Sequence, residues 1–418
     1  MQSFLDDEIQ WSNDLRTRLT GSHTHDQLID RVQHQLEDVG LKVETDTYTF
    51  DKWESEPNPD NIHFSISGND VAIASVFPYS GHTHDECLQA ELMLLRGPLH
   101  FWGSAKGKIA VVPVSHRTID MGSIVHTCST LGALGLHRAA AAGVLGVVYA
   151  WEDTPPEEVK QQYTPFTLPY QEVPAVFVAG EAAEHSLSAA AAGKTARFKL
   201  TASIVKQQQT RTIWASIPGK NGHIALLNIA KDLVINQPKR TVVLVLVSGH
   251  LRIPAFTSHG QATTRWLDDH PEMWKGGPGQ KRAVFGLGLE HFGAREFSAR
   301  TSATSALVPT GRNEPELLYA TTEETALICK EFWNISNPAE RRISRPSALV
   351  YFGEAEPLMH KGIPTVALVT LPIYLLSLRQ DDFVDFSMPL DGFGSVSVPS
   401  VVQKGWEIAS VFYLYMSS

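Results

Sequence analysis

The sequence predicts an α/β protein: a mostly parallel sheet flanked by helices, with a second, small α/β module inserted near its start. Three observations carry this. Over residues 210–415, apolar runs of strand length alternate with amphipathic helical stretches, the pattern of a sheet covered on both faces. Residues 61–202 repeat the alternation on a smaller scale, with short β-rich runs and Ala-rich helices. Between them and the first elements lies Trp53-Glu-Ser-Glu-Pro-Asn-Pro-Asp60, polar and proline-rich, which reads as a boundary. A chain of 418 residues is long for one core and comfortable for two. The division expected is 1–55, 56–205 and 206–418, the first and last forming the main domain.

Taken in order, Leu28, Ile29, Val32, Leu36 and Val39 recur at helical spacing over residues 26–39, and Gly40 follows as a natural C-cap. Residues 42–50 alternate and read as a strand. In the inserted module, strands are expected at 62–66, 71–76, 108–113, 144–150 and 175–178. Helices are expected at 130–142 and 181–192, closed by Gly143 and Gly193, with a Pro-rich loop over 154–174. After Lys206-Gln-Gln-Gln209, read as a second boundary, strands are expected at 210–217, 241–247, 283–289, 349–352 and 365–369. Helices are expected at 221–234, 260–270, 323–333 and 401–415. Gly276-Gly277-Pro278-Gly279 has no Lys-Ser/Thr after it and reads as a turn, not a phosphate loop.

Composition narrows the function classes. A formal charge of −10, with no Lys/Arg cluster to offset it, argues against nucleic acid as a partner. The longest apolar run, residues 241–247, is far short of the roughly 20 residues that span a membrane. Met1 to Glu8 is acidic and lacks the apolar run of a signal peptide. Cys87, Cys128 and Cys329 are three widely spaced thiols, the usage of a reducing compartment, so the cytoplasm is the expected location.

In doubly covered sheets, ligands bind beyond the carboxyl ends of the strands. That rule singles out Ser248-Gly249-His250, Glu290-His291 and Gly353-Glu354, each directly after an expected strand. His250, Glu290, His291 and Glu354 are expected to converge at one mouth of the sheet, with His223 close by at the start of its helix. Phe256, Trp266, Trp274, Phe285, Phe292, Phe297 and Phe352 cluster in sequence around the same ends, and Tyr374 follows the 365–369 strand. An aromatic-walled cavity suits a flat apolar small molecule. Each of these residues also has a structural alternative: a satisfied histidine, a solvated carboxylate or a core ring. His23-Thr24-His25 and His82-Thr83-His84 read as solvated loops, since neither brings a third metal ligand of its own.

Several motifs, in order along the chain, carry a family resemblance. They are Arg18-Leu19-Thr20-Gly21-Ser22 with the helix to Gly40; Gly107-Lys108-Ile109-Ala110-Val111-Val112; Gly146-Val147-Val148; Val173-Pro174-Ala175; Ile217-Pro218-Gly219; and Gly362-Ile363-Pro364-Thr365. Over nearly the whole chain this layout resembles the co-catalytic zinc aminopeptidases, a family that also takes in glutaminyl cyclases and the transferrin-receptor ectodomain. It most resembles members with an inserted protease-associated domain. The resemblance implies a zinc-exopeptidase-like fold. It also implies a two-zinc site built from an H-x-D strand, an Asp-Asn helix start, a Glu-Glu pair, a later Asp and a final His.

The chain departs from that pattern. Only Pro218-Gly219-Lys220 separates the 210–217 strand from the expected helix, so the H-x-D strand is missing. Lys220 stands where the bridging Asp belongs, and its ammonium repels a dication. Gly249-His250 stands in place of Glu-Glu, Glu290-His291 near the later Asp, and Gly353-Glu354 near the final His. The resemblance therefore implies the scaffold without the peptidase site, and no metal or cofactor is expected. The sheet then closes by a neighbouring strand shifting over, or by a second copy of the chain covering the gap as a homodimer.

The chemistry left is acid–base. Imidazoles titrate near neutrality, and a carboxylate beside one fixes its tautomer. The function expected is a metal-independent isomerase, cyclase or lyase acting on a small aromatic molecule in specialised metabolism, on a pseudopeptidase scaffold. Chalcone-isomerase-type intramolecular conjugate addition is one example. There His250 or His291 is the base, Glu290 or Glu354 orients it, and Tyr374 or Arg252 stabilises the enolate oxygen. Arg252, His223, Phe256, Phe292 and Phe352 hold the substrate. Two alternatives stand beside it: a zinc aminopeptidase with ligands rearranged to His250, His291 and Glu354, and a non-catalytic binding protein.

Overall fold

The structure, a computed structural model, describes residues 20–55, 60–77, 79–83, 87–96, 102–114, 130–151, 156, 172–217, 234, 240–248, 262–290, 295–297, 309–313, 316–332, 342–344, 355–370 and 412–413. It opens with α1 (His23–Asp38) and β1 (Val43–Glu54). Next come β2 (Ile62–Ile66), β3 (Asn69–Asp70), β4 (Ser75–Val76), β5 (Leu88–Leu94) and β6 (Ile109–Val114). These are followed by α2 (Thr130–Ala141), β7 (Gly146–Trp151), β8 (Ala175–Ala179), α3 (Glu181–Ala191) and β9 (Thr195–Leu200). Then come β10 (Ser203–Ile217), β11 (Val242–Leu246), α4 (Ala262–Asp269), β12 (Lys275–Gly277), β13 (Gln280–Arg282), β14 (Gly286–Glu290), β15 (Arg295–Phe297) and β16 (Pro309–Asn313). The last are β17 (Glu316–Ala320), α5 (Glu323–Phe332), β18 (Arg342–Ser344), α6 (Glu356–His360), β19 (Thr365–Thr370) and β20 (Phe412–Tyr413). Among the described residues no helix is long and apolar enough to cross a membrane.

Local chemistry fixes the ends of α1. Ser22 Oγ accepts from the His25 amide at 3.2 Å and caps its start. At its end Gly40 takes φ +88°; its amide reaches the Glu37 carbonyl and the Leu41 amide the Leu36 carbonyl. This paired closure needs a residue tolerant of left-handed backbone.

One eight-stranded sheet is made wholly from residues 62–200, in the order β3-β2-β9-β5-β6-β7-β8-β4, with β5 to β8 mutually parallel. Its central strands are buried on both faces, which is why they read as unbroken apolar runs. Val111, Val148 and Val176 pack with Ala183 and Leu187 of α3. Ala110, Val147 and Phe177 pack on the other face with Leu136 and Ala139 of α2.

Of the expected 71–76 strand only Ser75–Val76 is strand, as β4, and residues 71–74 are not. Ser67 and Gly68 both take positive φ, turning β2 back into the short hairpin strand β3. The chain then leaves to pair Ser75–Val76 with β8. Strands β5 and β9 were not anticipated; Glu91, Arg197 and Lys199 break up their apolar pattern.

The main domain holds two four-stranded groups, β1-β10-β11-β20 and β14-β19-β17-β18. Parallel pairs (β11/β20, β14/β19, β17/β18) and antiparallel pairs (β1/β10, β10/β11, β17/β19) both occur. A shared core joins the groups: Val243 and Val245 of β11, Trp266 and Leu267 of α4, Tyr319 of β17, Leu358 of α6 and Ala367 of β19.

Strand enters both expected boundaries. β1 runs on to Glu54 and β10 begins at Ser203, because the two form one long antiparallel ladder whose backbone pairing outweighs the polar side chains. A bulge at Asp51, opposite Lys206 and Gln207 with Gln207 at φ +58°, absorbs the register shift. Trp53 Nε1 also donates to the Ser80 carbonyl at 3.0 Å. The expected helix over 401–415 is contradicted at residues 412–413, which are strand. Phe412 and Tyr413, both β-favouring, pair along an open edge of β11. Nearly all of the expected 221–234 helix, and all of the 349–352 strand, lie outside the described residues.

Strand β14 lies flush under α6. A Cβ on Gly288 would stand 2.5 Å from Ala355 Cβ, and one on Gly286 would stand 2.9 Å from Leu358 Cδ1. Gly288→Ala should therefore destabilise the main domain by about 1–3 kcal/mol. Adding Ala355→Gly should recover part of that loss in urea unfolding. A single variant as stable as wild type would show that the helix does not bear on the strand.

Candidate functional site

Two strand ends anchor the region singled out by the sequence. Strand β14 finishes at Glu290, whose backbone pairs in parallel with Val369 of β19. Ala355, packed against Gly288 two residues back along β14, follows Glu354 directly in sequence. The β14 end and the start of α6 are therefore neighbours. His291, Phe292, Glu354, Phe352 and Tyr374 lie outside the described residues, as do His250, Arg252, Phe256 and His223. Of the expected site, only the backbone of Glu290 is described.

Three rings expected to wall the cavity are instead core or closely packed. Trp266 is fully buried, its ring 5.9 Å from that of Trp214, and Phe285 is 2 % exposed. Trp274 donates to the Leu267 carbonyl at 2.7 Å and so closes α4. The reason is periodicity: Trp266 and Leu267 lie on the inward face of α4. Phe297 lies in β15.

The expectation for His23-Thr24-His25 is also corrected. These residues form the first turn of α1, and His25 is 6 % exposed. Its Nδ1 accepts from the Gly21 amide at 3.3 Å, which puts the neutral ring's proton on Nε2, 3.4 Å from Ser248 Oγ. With Nε2 donating, His25 cannot take the Ser248 proton, so this Ser–His contact is a structural tie and not a nucleophile–base pair.

Ser248 is the last described residue before Gly249-His250, and it is heavily anchored. Its hydroxyl meets Thr210 Oγ1 at 2.6 Å, its amide donates to Thr212 Oγ1 at 3.2 Å, and its carbonyl accepts from Arg265 Nη2 at 2.8 Å. Arg265 is 4 % exposed and sits 3.8 Å over the Tyr48 ring. Burial lowers the Arg265 pKa and raises that of Tyr48, so a neutral phenol faces the guanidinium as a cation–π partner.

Beside it, His270 Nε2 meets Asp46 Oδ2 at 2.8 Å and Nδ1 meets Glu272 Oε1 at 3.3 Å. Its ring stands 5.0 Å from Trp214 and 5.1 Å from Trp266. Tyr48 donates to Asp269 at 3.2 Å. This cluster was missed in the sequence, although the alternation of β1 held the signal. Asp46 and Tyr48 face inward while Thr45, Thr47 and Thr49 are exposed.

Two further groups bear on chemistry. Cys329 is buried, and desolvation pushes its thiol up to about 12, which leaves it inert. Glu356, in the first turn of α6 and two residues from Glu354, has its carboxyl raised by burial, with His360 at 3.8 Å opposing the shift.

A carboxyl raised by folding favours the fold while protonated and loses that favour as pH rises through the folded value. Glu356→Gln should therefore be the more stable form at pH 7, by roughly 1–2 °C in Tm. The advantage should vanish as pH falls below the ordinary carboxylate range. An advantage that grew on acidification in thermal melts would contradict this.

No protein-family model matches the chain, and no curated protein sequence does. Solved structures do. The zinc aminopeptidase BSAP from Bacillus subtilis matches with TM-score 0.57 at 13% identity, over 96% of this chain and 90% of its own. The aminopeptidase from Aneurinibacillus sp. strain AM-1 matches with TM-score 0.60 at 11%, over 99% and 98%. A peptidase M28 precursor from Shewanella amazonensis SB2B matches with TM-score 0.62 at 14%, over 88% and 85%. At such identities the likeness speaks to architecture alone: this chain has the fold of the M28-type zinc aminopeptidases.

Proposed function

We propose that this chain is a metal-independent acid–base enzyme on an aminopeptidase-type scaffold, acting on a small aromatic molecule at the carboxyl ends of the strands. The observation that carries the reading is the donor set. The free edge of β11 is taken by Phe412 and Tyr413, and residues 408–418 contain no His, Asp, Glu or Cys. Lys220 precedes Asn221, where a bridging carboxylate would be needed. What remains is His250, Glu290, His291 and Glu354, too few and too mixed for two dications sharing a bridge, so a dinuclear zinc centre does not fit. On this reading residues 56–205 are a protease-associated-like insert, and the main domain is divided around it.

The reaction that best suits two imidazoles and two carboxylates is an isomerisation by intramolecular conjugate addition. His250 or His291 takes the proton of a phenol. The phenolate oxygen bonds to the β-carbon of an enone, and the π electrons move to the carbonyl oxygen. Tyr374 or Arg252 stabilises that enolate, and the imidazolium returns its proton to the α-carbon. Glu290 or Glu354 fixes the tautomer of the base. No atom is gained or lost, and no redox partner is required.

The likeness to zinc aminopeptidases over most of the chain favours a second reading, in which His250, His291 and Glu354 hold one zinc with an open position. Two measurements separate the readings. With 2′-hydroxychalcone as probe, cyclisation should survive chelator and fall about 10²–10⁴-fold in His250→Ala and His291→Ala. Stoichiometric zinc in the purified protein, with aminoacyl-nitroanilide hydrolysis lost on chelation, would replace the first reading with the second.

A further inference from the structure

The two four-stranded groups of the main domain meet at β20. On one side β20 pairs in parallel with β11, Leu244 opposite Phe412 and Val245 opposite Tyr413. On the other side it lies alongside β14, whose far edge is already taken by β19. Strand β11 is buried at all five positions, from Val242 to Leu246, so the edge that β20 fills is interior. The core beneath runs from β11 through α4 and α6 to β19, under both groups. Neighbouring strands lie about 4.8 Å apart, so one intervening strand holds β11 and β14 roughly 10 Å from each other.

We propose that residues 412–413 form a closing strand: an intramolecular strap, supplied from far along the same chain, that joins two half-sheets into one and sets their separation. A buried strand edge cannot be left to water, because each amide and carbonyl stranded there costs the desolvation of a polar group. Among the described residues, the next strand after β10 is β11 itself, which takes β10 as its antiparallel neighbour and leaves its own second edge to be filled. The late segment supplies what is missing, and it does so with only two paired residues. Among the described residues of the two four-stranded groups, the seam is thus the shortest ladder and the one on which both halves depend. This inference concerns how the sheet closes and does not rest on the proposed reaction.

Hydrogen exchange on the full chain tests it. Phe412→Pro and Tyr413→Pro each remove an amide and restrict the strand, whereas Tyr413→Val keeps both. The proline variants should lose amide protection at least tenfold in residues 242–246 and also in 286–290, with 146–151 and 175–179 unchanged and the valine variant like wild type. Loss confined to 242–246, or no loss, would make β20 a dispensable edge and overturn the proposal.

Should the proline variants fail to fold, a cross-link decides. The paired positions lie within disulfide range, so Leu244→Cys with Phe412→Cys should oxidise to a bridge within one chain, read by mass spectrometry. A bridge between two chains, or none, would overturn it as well.

Discussion

A strand buried on both faces must have its backbone paired along both edges, and β11 is such a strand. Its antiparallel ladder to β10 satisfies one edge, and the other opens toward β14 across a gap one strand wide. Filling that gap is worth more than the local preference of the filler. Each buried amide left without a partner costs about 1–3 kcal/mol, whereas strand and helix propensities differ by only a few tenths per residue. The periodicity of residues 401–415 suggests a helix, yet 412–413 are strand. The vacancy, a tertiary feature, selects the conformation.

The same economy governs the far side of β11. Ser248 carries three hydrogen bonds from β10 and α4, besides its contact with His25 of α1, immediately before the segment that bears His250. Arg265 brings a charge into the interior to hold one of them. That is tolerable because the guanidinium lies on Tyr48 and within reach of the carboxylates of Asp46 and Asp269. His270, set between two carboxylates and two indoles, ties the end of α4 to β1. Ser248 and Arg265 are too enclosed to meet substrate. They make the exit of β11 a fixed point, as a site assembled from loops requires.

The legible parts of the fold were those where local and tertiary signals agree. The apolar runs of β6, β7, β8, β11 and β19 and the Ala-rich helices packed on them stand close to where periodicity puts them, since a strand covered on both faces has no polar alternation to confuse it. What was illegible depended on distant partners. Strand β5 is interrupted by Gln89 and Glu91, and the long β1/β10 ladder reaches into two stretches that look like linkers. At the candidate site, the end of β14 and its contact with the start of α6 follow from Gly286 and Gly288, small residues spaced for one face. The inward Asp46–His270 pair was hidden because its strand presents threonines to water and charges to the core, the reverse of the usual assignment.

On the proposed reading, fold and chemistry separate for a physical reason. The apolar periodicity that builds a covered sheet is satisfied by many side chains, so 11–14% identity suffices to keep the architecture over almost the whole chain. A dinuclear metal site has no such latitude. It needs donors of the right charge at each strand end, and one ammonium among them adds repulsion where attraction has to offset desolvation of the ions. On the proposed reading, Lys220 is adverse to two zinc ions, whereas imidazoles following β11 and β14 need no metal to move a proton. Strand ends fixed by backbone pairing can thus change their reaction by changing the residue that follows the last ladder bond, and the sheet beneath is blind to the exchange.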